Sequence, residues 1–391
     1  MEINKEKIQE ILDRGVDEII DRANLEKKLK SGKTLRIKLG IDPTSKNIHL
    51  GRSIPLLKLK DFQDAGHQIV FIVGDFTGVI GDTSDKDSER PMLSEDVIKD
   101  NLTTYINQVA KIIDIDKAEI HYNSEWLGKL TYGEIGHQAN AFSLNEFISR
   151  DNINRRLTAG KRVSLRELLY PLMQGYDSVK IKADVEVGGV DQRFNLLAGR
   201  DLQRLYGQEP QDIITNPLIE GLDGRKMSSS FGNTVNLFDE PNDMFGKVMS
   251  LKDEFIIRYF TLVTRVGMKT IKGYEKALKE GANPRDIKMK LASEIVRMYH
   301  SEKDATTARE YFIKTVSNKE IPDEIEEFKP SKYDIVSVLV EAKLASSKSD
   351  AKRTIEQGGV KVNGEVIKDL LFLVPADSVL QKGKLNFIKV V

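Results

Sequence analysis

The sequence from residue 40 to residue 52 reads Gly40-Ile41-Asp42-Pro43-Thr44-Ser45-Lys46-Asn47-Ile48-His49-Leu50-Gly51-Arg52. A β-rich run precedes this segment, and an apolar pattern with helical spacing follows it from Ile54. The N-terminus of a helix presents unpaired N–H groups and a partial positive charge, which attract phosphate. Gly51 has no Cβ, so a flat ligand can lie against the backbone there, and His49 can donate a hydrogen bond to a phosphoryl oxygen. The segment therefore predicts a nucleotide-binding turn.

Strand patterns and helix patterns alternate over the first half of the chain. The predicted strands are 35–41, 68–74, 119–122, 183–187 and 212–215, and the helical patterns between them are 49–65, 93–114, 131–149, 165–180 and 190–206. Short β-branched runs between longer helices favour a parallel sheet covered on both faces. Ligands in such sheets bind beyond the carboxyl ends of the strands. We therefore expect residues 40–52, 74–78 and 188–192 to meet at one rim.

The two ends of the chain have different patterns. Residues 2–32 predict two helices, and from about 240 to 318 the strand patterns give way to helical ones. Residues 319–331 are acidic and bracketed by prolines, as is typical of a linker. The last segment predicts a compact basic α+β module, with helices at 335–342 and 347–357 and short strands at 360–362 and 386–390.

Composition excludes several classes of protein. The 391 residues fit two or three domains. Lys and Arg balance Asp and Glu at 60 each, so a nucleic-acid partner would have to bind local basic patches. The absence of cysteine excludes disulfides, thiolate metal sites and cysteine nucleophiles. Neither a signal-peptide pattern nor an apolar run of membrane length is present, so we expect a cytoplasmic protein that does not associate with membranes.

A second segment reads Gly221-Leu222-Asp223-Gly224-Arg225-Lys226-Met227-Ser228-Ser229-Ser230. Its Gly and Ser residues favour mobility, and Arg225 and Lys226 supply positive charge. A flexible basic loop can close over a polyphosphate and stabilise the charge that develops as it is cleaved. Taken alone, the segment is more often an ordinary surface turn with a solvated lysine.

The two segments together resemble the two signatures of class I aminoacyl-tRNA synthetases. Four further blocks, 38–44, 74–82, 170–177 and 189–195, are similar to bacterial tyrosyl-tRNA synthetase, and the resemblance runs from about residue 33 to the C-terminus. It implies an α/β fold: a Rossmann-like parallel-sheet catalytic domain, then a helical domain, then a small α+β RNA-binding domain. The implied boundaries are 1–235 for the catalytic domain, 236–318 for the helical anticodon-side domain, 319–331 for the linker and 332–391 for the RNA-binding domain.

The pattern around residue 170 suits a pocket for an amino acid. Tyr170, Gln174 and Asp177 are spaced i, i+4, i+7 and share one helix face. A packed helix face is the ordinary explanation, but a buried Gln and Asp need partners, which a zwitterionic amino acid supplies. The resemblance implies that Tyr170, Gln174 and Asp82 hold the α-ammonium of tyrosine, that Asp177 accepts from the phenolic hydroxyl, and that Gln192 lies beside the carboxyl end. A buried acceptor aimed at the phenol rejects phenylalanine, and tyrosyl-tRNA synthetases are the standard example of this selectivity.

The resemblance also implies a reaction in two steps. The tyrosine carboxylate attacks the α-phosphate of ATP, expelling pyrophosphate and leaving tyrosyl-adenylate, and the terminal ribose of the transfer RNA then takes the tyrosyl group. Thr44, His49 and Lys226 would contact the phosphates as the transition state forms. Catalysis of this kind needs positioning and charge stabilisation but no enzyme nucleophile.

ATP is the substrate that the two signatures imply. The ATP-binding residues carried over from the family pattern are Asp42, Gly51, Arg52, Asp191, Lys226, Met227 and Ser228. Lys86 and Arg90 would face pyrophosphate from a loop, although a solvated charge run explains them equally well. We expect Mg2+ to accompany ATP, and we expect no protein-bound metal.

Three residues depart from the usual family pattern. Arg52 ends the first signature, where His or Asn is usual, and Ser229 replaces the second lysine of the second signature. Lys38 occupies the position at which many members have a tyrosine that contacts the substrate hydroxyl, although one bacterial subgroup shares this lysine. We assign Lys38 to the tyrosine site. We also hypothesise that Arg52 and Arg225 supply the positive charge that Ser229 does not.

The C-terminal module has a basic helix followed by the hairpin pattern Gly358-Gly359-Val360-Lys361-Val362-Asn363-Gly364. This pattern resembles the small RNA-binding domain shared with ribosomal protein S-four. Lys and Arg would contact phosphates, with shape rather than base identity being recognised. The predicted RNA-binding residues are Lys348, Lys352, Arg353 and Lys361; taken singly, each is also compatible with a solvated face. In the family, this domain grips the variable arm and anticodon stem of tRNA(Tyr).

The segment at about 133–165 corresponds in the family to the contact between subunits. Its apolar and basic residues include Phe142, Leu144, Phe147, Ile148, Arg155 and Arg156. We therefore expect a two-fold homodimer, with each tRNA spanning both subunits.

Three alternatives remain open. A tryptophanyl-tRNA synthetase shares the fold and both signatures, but Asp177 and the C-terminal module argue against it. A catalytically silent RNA-binding relative would explain Arg52 and Ser229, but not the retention of His49, Lys226 and the whole tyrosine pocket. A small-molecule adenylyltransferase would have no use for the helical and C-terminal domains.

Overall fold

The computed structural model describes residues 3–84, 92–317, 325–383 and 386–391. Lys86 and Arg90, the two predicted pyrophosphate contacts, lie outside the described residues. The chain forms two compact units. The first comprises residues up to 238 together with 251–282, and the second comprises 239–250 together with 283–391. The region 236–318, predicted as one helical domain, is therefore divided between the two units.

The first unit is built on a six-stranded sheet. Its strands are β1 (Glu18–Ile20), β2 (Arg36–Ile41), β3 (Gln68–Val73), β4 (Ala118–Tyr122), β5 (Val185–Gly189) and β6 (Asp212–Asn216). Their order is β1-β6-β5-β2-β3-β4. All neighbours pair in parallel except β1, which is antiparallel to β6. The predicted parallel sheet is confirmed.

The two helices predicted within residues 2–32 are present, but strand β1, which was not predicted, lies between them. Glu18, Ile19 and Ile20 pair with Thr215, Ile214 and Ile213 at the edge of the sheet. A run of three residues is too short to display a period of two, and the pairing partner lies almost two hundred residues away in sequence. Only the assembled sheet supplies the open edge that selects the extended conformation.

The helices of the described residues follow the strands in the expected alternation. In chain order they are α1 (Lys5–Asp13), α2 (Arg22–Lys30), α3 (Leu50–Asp64), α4 (Asp75–Ile80), α5 (Glu95–Leu102), α6 (Tyr105–Val109), α7 (Ser124–Leu127), α8 (Tyr132–Ala139), α9 (Leu144–Ile148), α10 (Asp151–Thr158), α11 (Leu165–Ile181), α12 (Arg193–Leu205), α13 (Pro241–Met249), α14 (Ile256–Val263), α15 (Met268–Lys279), α16 (Pro284–Tyr299), α17 (Glu302–Phe312), α18 (Ile335–Glu341) and α19 (Lys348–Glu356). None of the helices in these ranges is long and apolar enough to cross a membrane.

Two helices carry six of the predicted site residues: His49, Gly51 and Arg52 at the start of α3, and Tyr170, Gln174 and Asp177 on α11. His49 is the N-cap residue of α3, in extended conformation, so the helix begins at Leu50 with its first N–H groups at the end of β2. Helix α11 begins with a capping box in which the side chains of Ser164 and Glu167 each pair with the other's backbone. It ends at Lys182, which adopts the left-handed conformation.

The strand order places a binding crevice at the end of β2. Strand β2 lies between β3 and β5. The chain continues from β2 to β3 and β4 on one side, and then returns to β5 and β6 on the other side of β2. In open parallel sheets a ligand binds where the connections diverge in this way, beyond the carboxyl ends of the strands.

The second unit contains helices and a second sheet. Its five strands are β7 (Glu327–Phe328), β8 (Val360–Val362), β9 (Glu365–Val366), β10 (Ser378–Lys382) and β11 (Asn386–Val390), in the order β7-β11-β10-β8-β9. Helices α18 and α19 share one hydrophobic core with β8, β10 and β11. Asn363 and Gly364 both have positive φ angles, of 49° and 88°, as a two-residue hairpin turn requires.

One strand of this sheet lies within the predicted linker. Glu327–Phe328 pairs in parallel with Lys389 and Val390 of β11. The acidic composition of 319–331 is compatible with an edge strand as well as with a linker, and the pairing partner lies sixty residues downstream.

Candidate active site

A cavity opens at the carboxyl ends of β2, β3 and β5, and the two signature segments line it together. Of the residues predicted for the tyrosine and ATP sites, the cavity brings together Asp42, Thr44, His49, Gly51, Arg52, Asp82, Tyr170, Gln174, Asp177, Asp191, Gln192, Lys226, Met227 and Ser228. The expected convergence of residues 40–52, 74–78 and 188–192 at one rim is therefore confirmed. Lys38 is not among the lining residues.

The two signatures contact each other directly. The backbone N–H of Gly51 donates to Sδ of Met227 at 3.3 Å. Beside this contact, the backbone N–H of Leu50 donates to the carbonyl of Val235 and that of Leu237 donates to the carbonyl of Ile48, both at 2.9 Å. The segment after the second signature thus pairs with the first, and the two form one structural unit.

His49 is held as a neutral imidazole beside this contact. Its side chain is buried, and burial is the main cause that lowers its pKa to about 3, with smaller contributions from the charges of Arg52 and Lys226. No group in the described part of the chain pairs with its Nδ1. A Cβ on Gly51 would lie only 3.1 Å from the His49 ring, so a larger residue at position 51 would crowd the ring.

The cations of the two signature segments that line the cavity, Arg52 and Lys226, have partners within the protein. Lys226 Nζ lies 2.9 Å from a carboxylate oxygen of Asp191. The Arg52 guanidinium donates to Oγ1 of Thr44 at 2.9 Å and to the buried hydroxyl of Tyr105 at 3.2 Å. Arg52 therefore holds Thr44 as well as lining the cavity.

Arg225 does not contribute to the cavity, which corrects half of the hypothesis about Ser229. Its guanidinium pairs with Asp223 at 2.5 Å and lies over the ring of Phe231, 4.4 Å from the ring centre. Within the same loop the neighbouring Lys226 faces inward, whereas Arg225 faces solvent with 62% of its side chain exposed.

Asp42 connects the end of β2 with helices α4 and α11. One of its carboxylate oxygens accepts from the hydroxyl of Tyr170 at 2.8 Å, and the other accepts from the hydroxyl of Thr77 at 2.7 Å. A Cβ on Gly74 would lie 2.0 Å from this carboxylate, so glycine is required there. Because the hydroxyl of Tyr170 donates its hydrogen bond to Asp42, the phenolic oxygen keeps a lone pair that can accept a hydrogen bond from a ligand.

Asp82 and Gln192 are joined by a hydrogen bond across the cavity. Nε2 of Gln192 donates to one oxygen of Asp82 at 2.7 Å, and the backbone N–H and hydroxyl of Ser84 donate to the other at 3.0 and 2.6 Å. Asn195 in turn donates to Oε1 of Gln192 at 2.9 Å. The orientation of the Gln192 amide is thereby determined on both edges.

Asp177 lies at the buried extremity of the cavity. Its two oxygens accept from Nε1 of Trp126 at 2.8 Å and Nδ2 of Asn123 at 3.3 Å. Burial raises the pKa of Asp177 to about 7, against the opposing effects of the Lys38 charge and of these two hydrogen bonds. Sequence reasoning missed Asn123 and Trp126, although Asn123 directly follows strand β4, a position from which side chains reach the ligand-binding rim.

Lys38 lies behind the cavity wall, which corrects its predicted direct contact with tyrosine. Its side chain is fully buried, and Nζ lies 2.8 Å from Oε1 of Glu186. Nζ also donates to the hydroxyl of Ser178 at 2.7 Å and to the backbone carbonyl of Gln174 at 2.9 Å. An ammonium has three protons, and these three acceptors account for all of them.

The predicted RNA-binding residues lie on two elements of the second unit. Lys348, Lys352 and Arg353 are exposed on α19, where Arg353 also donates to Asp350 at 2.8 Å. Lys361 lies on β8 between the buried Val360 and Val362, so it faces away from the core that β8 shares with α19. The structure therefore brings together the three residues of the helix but not Lys361.

Comparison with known proteins identifies the family. Residues 30–317 match the family described as tRNA synthetases class I (W and Y), and residues 335–380 match the S4 domain. The tyrosine–tRNA ligase of Thermotoga maritima is 45% identical, and the match covers 97% of this chain and 96% of that protein. The enzyme of the same name from Mannheimia succiniciproducens is 44% identical over 97% of each chain.

Solved structures show the same fold. The tyrosyl-tRNA synthetase of Archaeoglobus fulgidus, determined with L-tyrosine, matches with a TM-score of 0.62, covering 78% of this chain and 99% of that one at 23% identity. A truncated mitochondrial tyrosyl-tRNA synthetase of Aspergillus nidulans matches with a TM-score of 0.67, covering 78% and 93% at 21% identity.

Proposed function

The chain belongs to the class I aminoacyl-tRNA synthetases, within the tyrosine–tRNA ligases, and from this we propose how its residues carry out the reaction. A tyrosine–tRNA ligase activates L-tyrosine with ATP and transfers the tyrosyl group to tRNA(Tyr). The observation that carries the assignment of residues is the single cavity in which both signatures and the polar helix face of α11 meet.

Tyrosine occupies the buried end of this cavity. Its phenolic hydroxyl donates to Asp177, and its α-ammonium donates to Tyr170, Gln174 and Asp82. The support for this orientation is the distribution of hydrogen-bond acceptors. Each of these side chains lines the cavity, and the Tyr170 hydroxyl already donates to Asp42, so its oxygen can accept from the ammonium. A phenylalanine ring would leave Asp177 without the donor that its buried carboxylate needs.

ATP occupies the end formed by the signatures. Asp191, Gly51, Met227 and Ser228 contact the nucleoside side, and Thr44, His49 and Lys226 contact the phosphates. The neutral His49 donates a hydrogen bond without adding charge. We propose that Mg2+ arrives bound to the phosphates of ATP, because this ion prefers phosphate oxygens and retains much of its water.

In the first step, a carboxylate oxygen of tyrosine forms a bond to the α-phosphorus while the bond to the pyrophosphate oxygen breaks. Negative charge grows on the departing pyrophosphate, and Lys226 leaves Asp191 to neutralise it. In the second step, a hydroxyl of the terminal ribose of tRNA attacks the tyrosyl carbonyl, and AMP departs.

The C-terminal S4 domain holds tRNA through its phosphates. The exposed cations of α19, Lys348, Lys352 and Arg353, supply the contacts, and Lys361 contributes from the other face of the sheet. The proposed domains remain a catalytic domain to about 235, a helical domain to about 318 and this RNA-binding domain from about 332. The proposed location of the protein is the cytoplasm, together with the other components of translation.

The chain acts as a homodimer through the segment at about 133–165. Support comes from large apolar side chains that are exposed on and around this segment: Tyr132, Leu144, Leu157, Leu165 and Leu169. Phe147 and Arg156, predicted as part of the contact, are instead buried within the chain, Arg156 in an ion pair with Glu167 at 2.5 Å. Leu165→Glu should convert a dimer to a monomer in sedimentation velocity, whereas Leu371→Glu, at a comparably exposed leucine of the other unit, should not.

Tyrosine-dependent exchange of pyrophosphate into ATP tests the proposed function. We expect exchange with L-tyrosine, none with L-tryptophan, and tyrosylation of tRNA(Tyr) when that RNA is added. Exchange driven by tryptophan would favour the tryptophan enzyme. Binding of tRNA without any exchange would show a catalytically silent relative.

A further inference from the structure

Four polar side chains that contact neither substrate in the proposed reaction lie together behind the tyrosine end of the cavity. Lys38, Ser178, Glu186 and Gln211 are each no more than 1% exposed. The hydroxyl of Ser178 donates to Oε2 of Glu186 at 3.0 Å, and Nε2 of Gln211 donates to the same oxygen. Lys38 occupies Oε1. A buried ion pair is often no more stabilising than an apolar pair of the same volume, so stability alone does not explain this cluster.

The cluster is connected to the cavity through Gln174. The side-chain Nε2 of Gln174 donates to Oε1 of Glu186 at 3.3 Å, and the backbone carbonyl of Gln174 accepts from Lys38 at 2.9 Å. Gln174 itself lines the cavity. Its main chain and its side chain are thus both tied to the Lys38–Glu186 pair.

The chemistry of the pair decides which edge of the Gln174 amide faces inward. A carboxylate only accepts hydrogen bonds and an ammonium only donates them. The amide edge that faces Glu186 must therefore be the NH2 group, and the amide oxygen is left for the cavity. In the reversed orientation the amide oxygen would face the carboxylate, and the NH2 group would face the ammonium of the substrate.

We propose that Lys38 and Glu186 are positioning residues that keep the amide oxygen of Gln174 directed at the α-ammonium of tyrosine. This inference rests on the proposed role of Gln174 in binding that ammonium. It gives Lys38 a role other than the direct tyrosine contact that its sequence position suggested. The cluster would favour ligands that carry a free α-amine over those that lack one.

The test compares L-tyrosine with 3-(4-hydroxyphenyl)propionate, which has the same phenol and carboxylate but no amine. Removing Glu186 alone would leave Lys38 as an unpaired buried charge, so the test variant is Lys38→Met with Glu186→Met. The matched control is Glu186→Gln. In the control, Lys38 still only donates and keeps the amide oxygen of residue 186 toward Gln174. The new NH2 group replaces the oxygen that accepted from Ser178 and Gln211. The Ser178 hydroxyl can rotate to accept from it, and Oε1 of Gln211, which has no partner among the described residues, can turn to accept as well.

Calorimetry on the full-length protein gives the dissociation constants of both ligands. The ratio of the propionate constant to the L-tyrosine constant is the preference for the amine. We expect the double Met variant to lose about tenfold of this preference, since the buried NH2 of Gln174 loses its acceptor. The affinity for the propionate should stay unchanged, and Glu186→Gln should keep the preference. An equal weakening of both ligands in the double variant would show a merely structural cluster and overturn the proposal.

Two further variants make the result decisive. Lys38→Met with Glu186→Gln retains hydrogen-bonding groups at residue 186, so it should fold even if the double Met variant does not. This variant should show a weaker preference for the amine than Glu186→Gln alone. An unchanged preference would contradict the role of Lys38. Gln174→Ala distinguishes the proposed tyrosine site from the proposed positioning role of Lys38 and Glu186. If it keeps the preference for the amine, the proposed tyrosine site is wrong. If it loses the preference while the double Met variant does not, only the positioning role is wrong.

Discussion

The two ends of the cavity are built on different physical principles. At the proposed ATP end, the side chains of Lys226 and its partner Asp191 are 31% and 21% exposed, so a ligand can reach this ion pair. At the tyrosine end, Asp177 and the Lys38–Glu186 pair are almost completely buried, and their partners are fixed by packing. In the proposed mechanism, catalysis therefore depends on a charge that can change partners, whereas selectivity depends on polar groups whose partners are fixed.

The largest effect is expected for Lys226→Met at the ATP end. Removing the cation that neutralises the departing pyrophosphate should slow ATP–pyrophosphate exchange by about 10²–10³-fold. The affinity for tyrosine and the melting temperature should change little, because the side chain is partly exposed. Arg225→Met is the matched control: its guanidinium pairs with Asp223 outside the cavity, so exchange should stay close to that of the wild type. Equal losses in both variants would contradict the distinction between the two neighbouring cations.

The next effect belongs to the tyrosine end. Asp177→Asn should lower the selectivity for tyrosine over phenylalanine by about tenfold to a hundredfold in kcat/KM of exchange, since the charged acceptor for the phenol is lost. The control is Asp75→Asn, at a carboxylate outside the cavity that accepts from Ser124. Selectivity that survives in Asp177→Asn would remove Asp177 from its proposed role.

The same variant has a second measurable consequence, in the pH dependence of stability. Burial raises the pKa of Asp177 from 3.8 to about 7 in the folded protein. The folded state therefore binds the proton more tightly than the unfolded state, and the stability that this provides is complete below about pH 4 and is lost as the pH rises through 7. The melting temperature of the wild type should fall relative to that of Asp177→Asn between pH 5 and pH 8. Parallel curves would contradict the raised pKa.

A smaller effect is expected for Arg52→His. The guanidinium that holds Thr44 is lost, so adenylate formation should slow by about tenfold in single-turnover measurements. Adding Ser229→Lys, which restores the usual lysine of the second signature on a residue that lines the cavity, should recover part of the rate. A neutral Arg52→His would end the hypothesis that this arginine compensates for Ser229.

The smallest expected effect concerns the pH profile of exchange, in which His49 should cause no inflection. Because the pKa of His49 is lowered to about 3, its imidazole stays neutral from pH 6 to pH 8. The pH profile of exchange should therefore have the same shape in His49→Asn as in the wild type, although its amplitude is lower. An inflection near pH 6.5 that disappears in the variant would show that His49 titrates and is not buried as described.

Most of the strands and the convergence of the two signatures could be predicted because their signals are local. A β-branched run before a Gly-rich turn indicates the end of a strand, and Gly51, Gly74 and Gly189 mark places where the backbone approaches a side chain closely. Gly189 is an example, since a Cβ there would lie 2.5 Å from a carboxylate oxygen of Asp191. The boundaries between the two compact units within residues 236–318 have no such local signal in the sequence.

Other features could not be predicted because they depend on pairs of residues far apart in the chain. Asn123 and Trp126 support Asp177 from beyond strand β4, and neither belongs to a recognisable motif. Arg225 and Lys226 are adjacent in sequence but face opposite directions. Strand β1 exists only because β6 leaves an open edge beside it.

By itself, the sequence determined the family, the parallel sheet, the positions of the two signature segments and the types of residue that line the cavity. These follow from motifs and periodicities that are complete within short segments. Only the tertiary structure decided that Lys38 lies behind the wall with Glu186, that Asp42 receives the Tyr170 proton, and that Asp177 is buried deeply enough for its pKa to rise. The physical reason is that the partner, the burial and therefore the charge state of a polar side chain are set by neighbours from other elements, and the sequence order does not contain their distances.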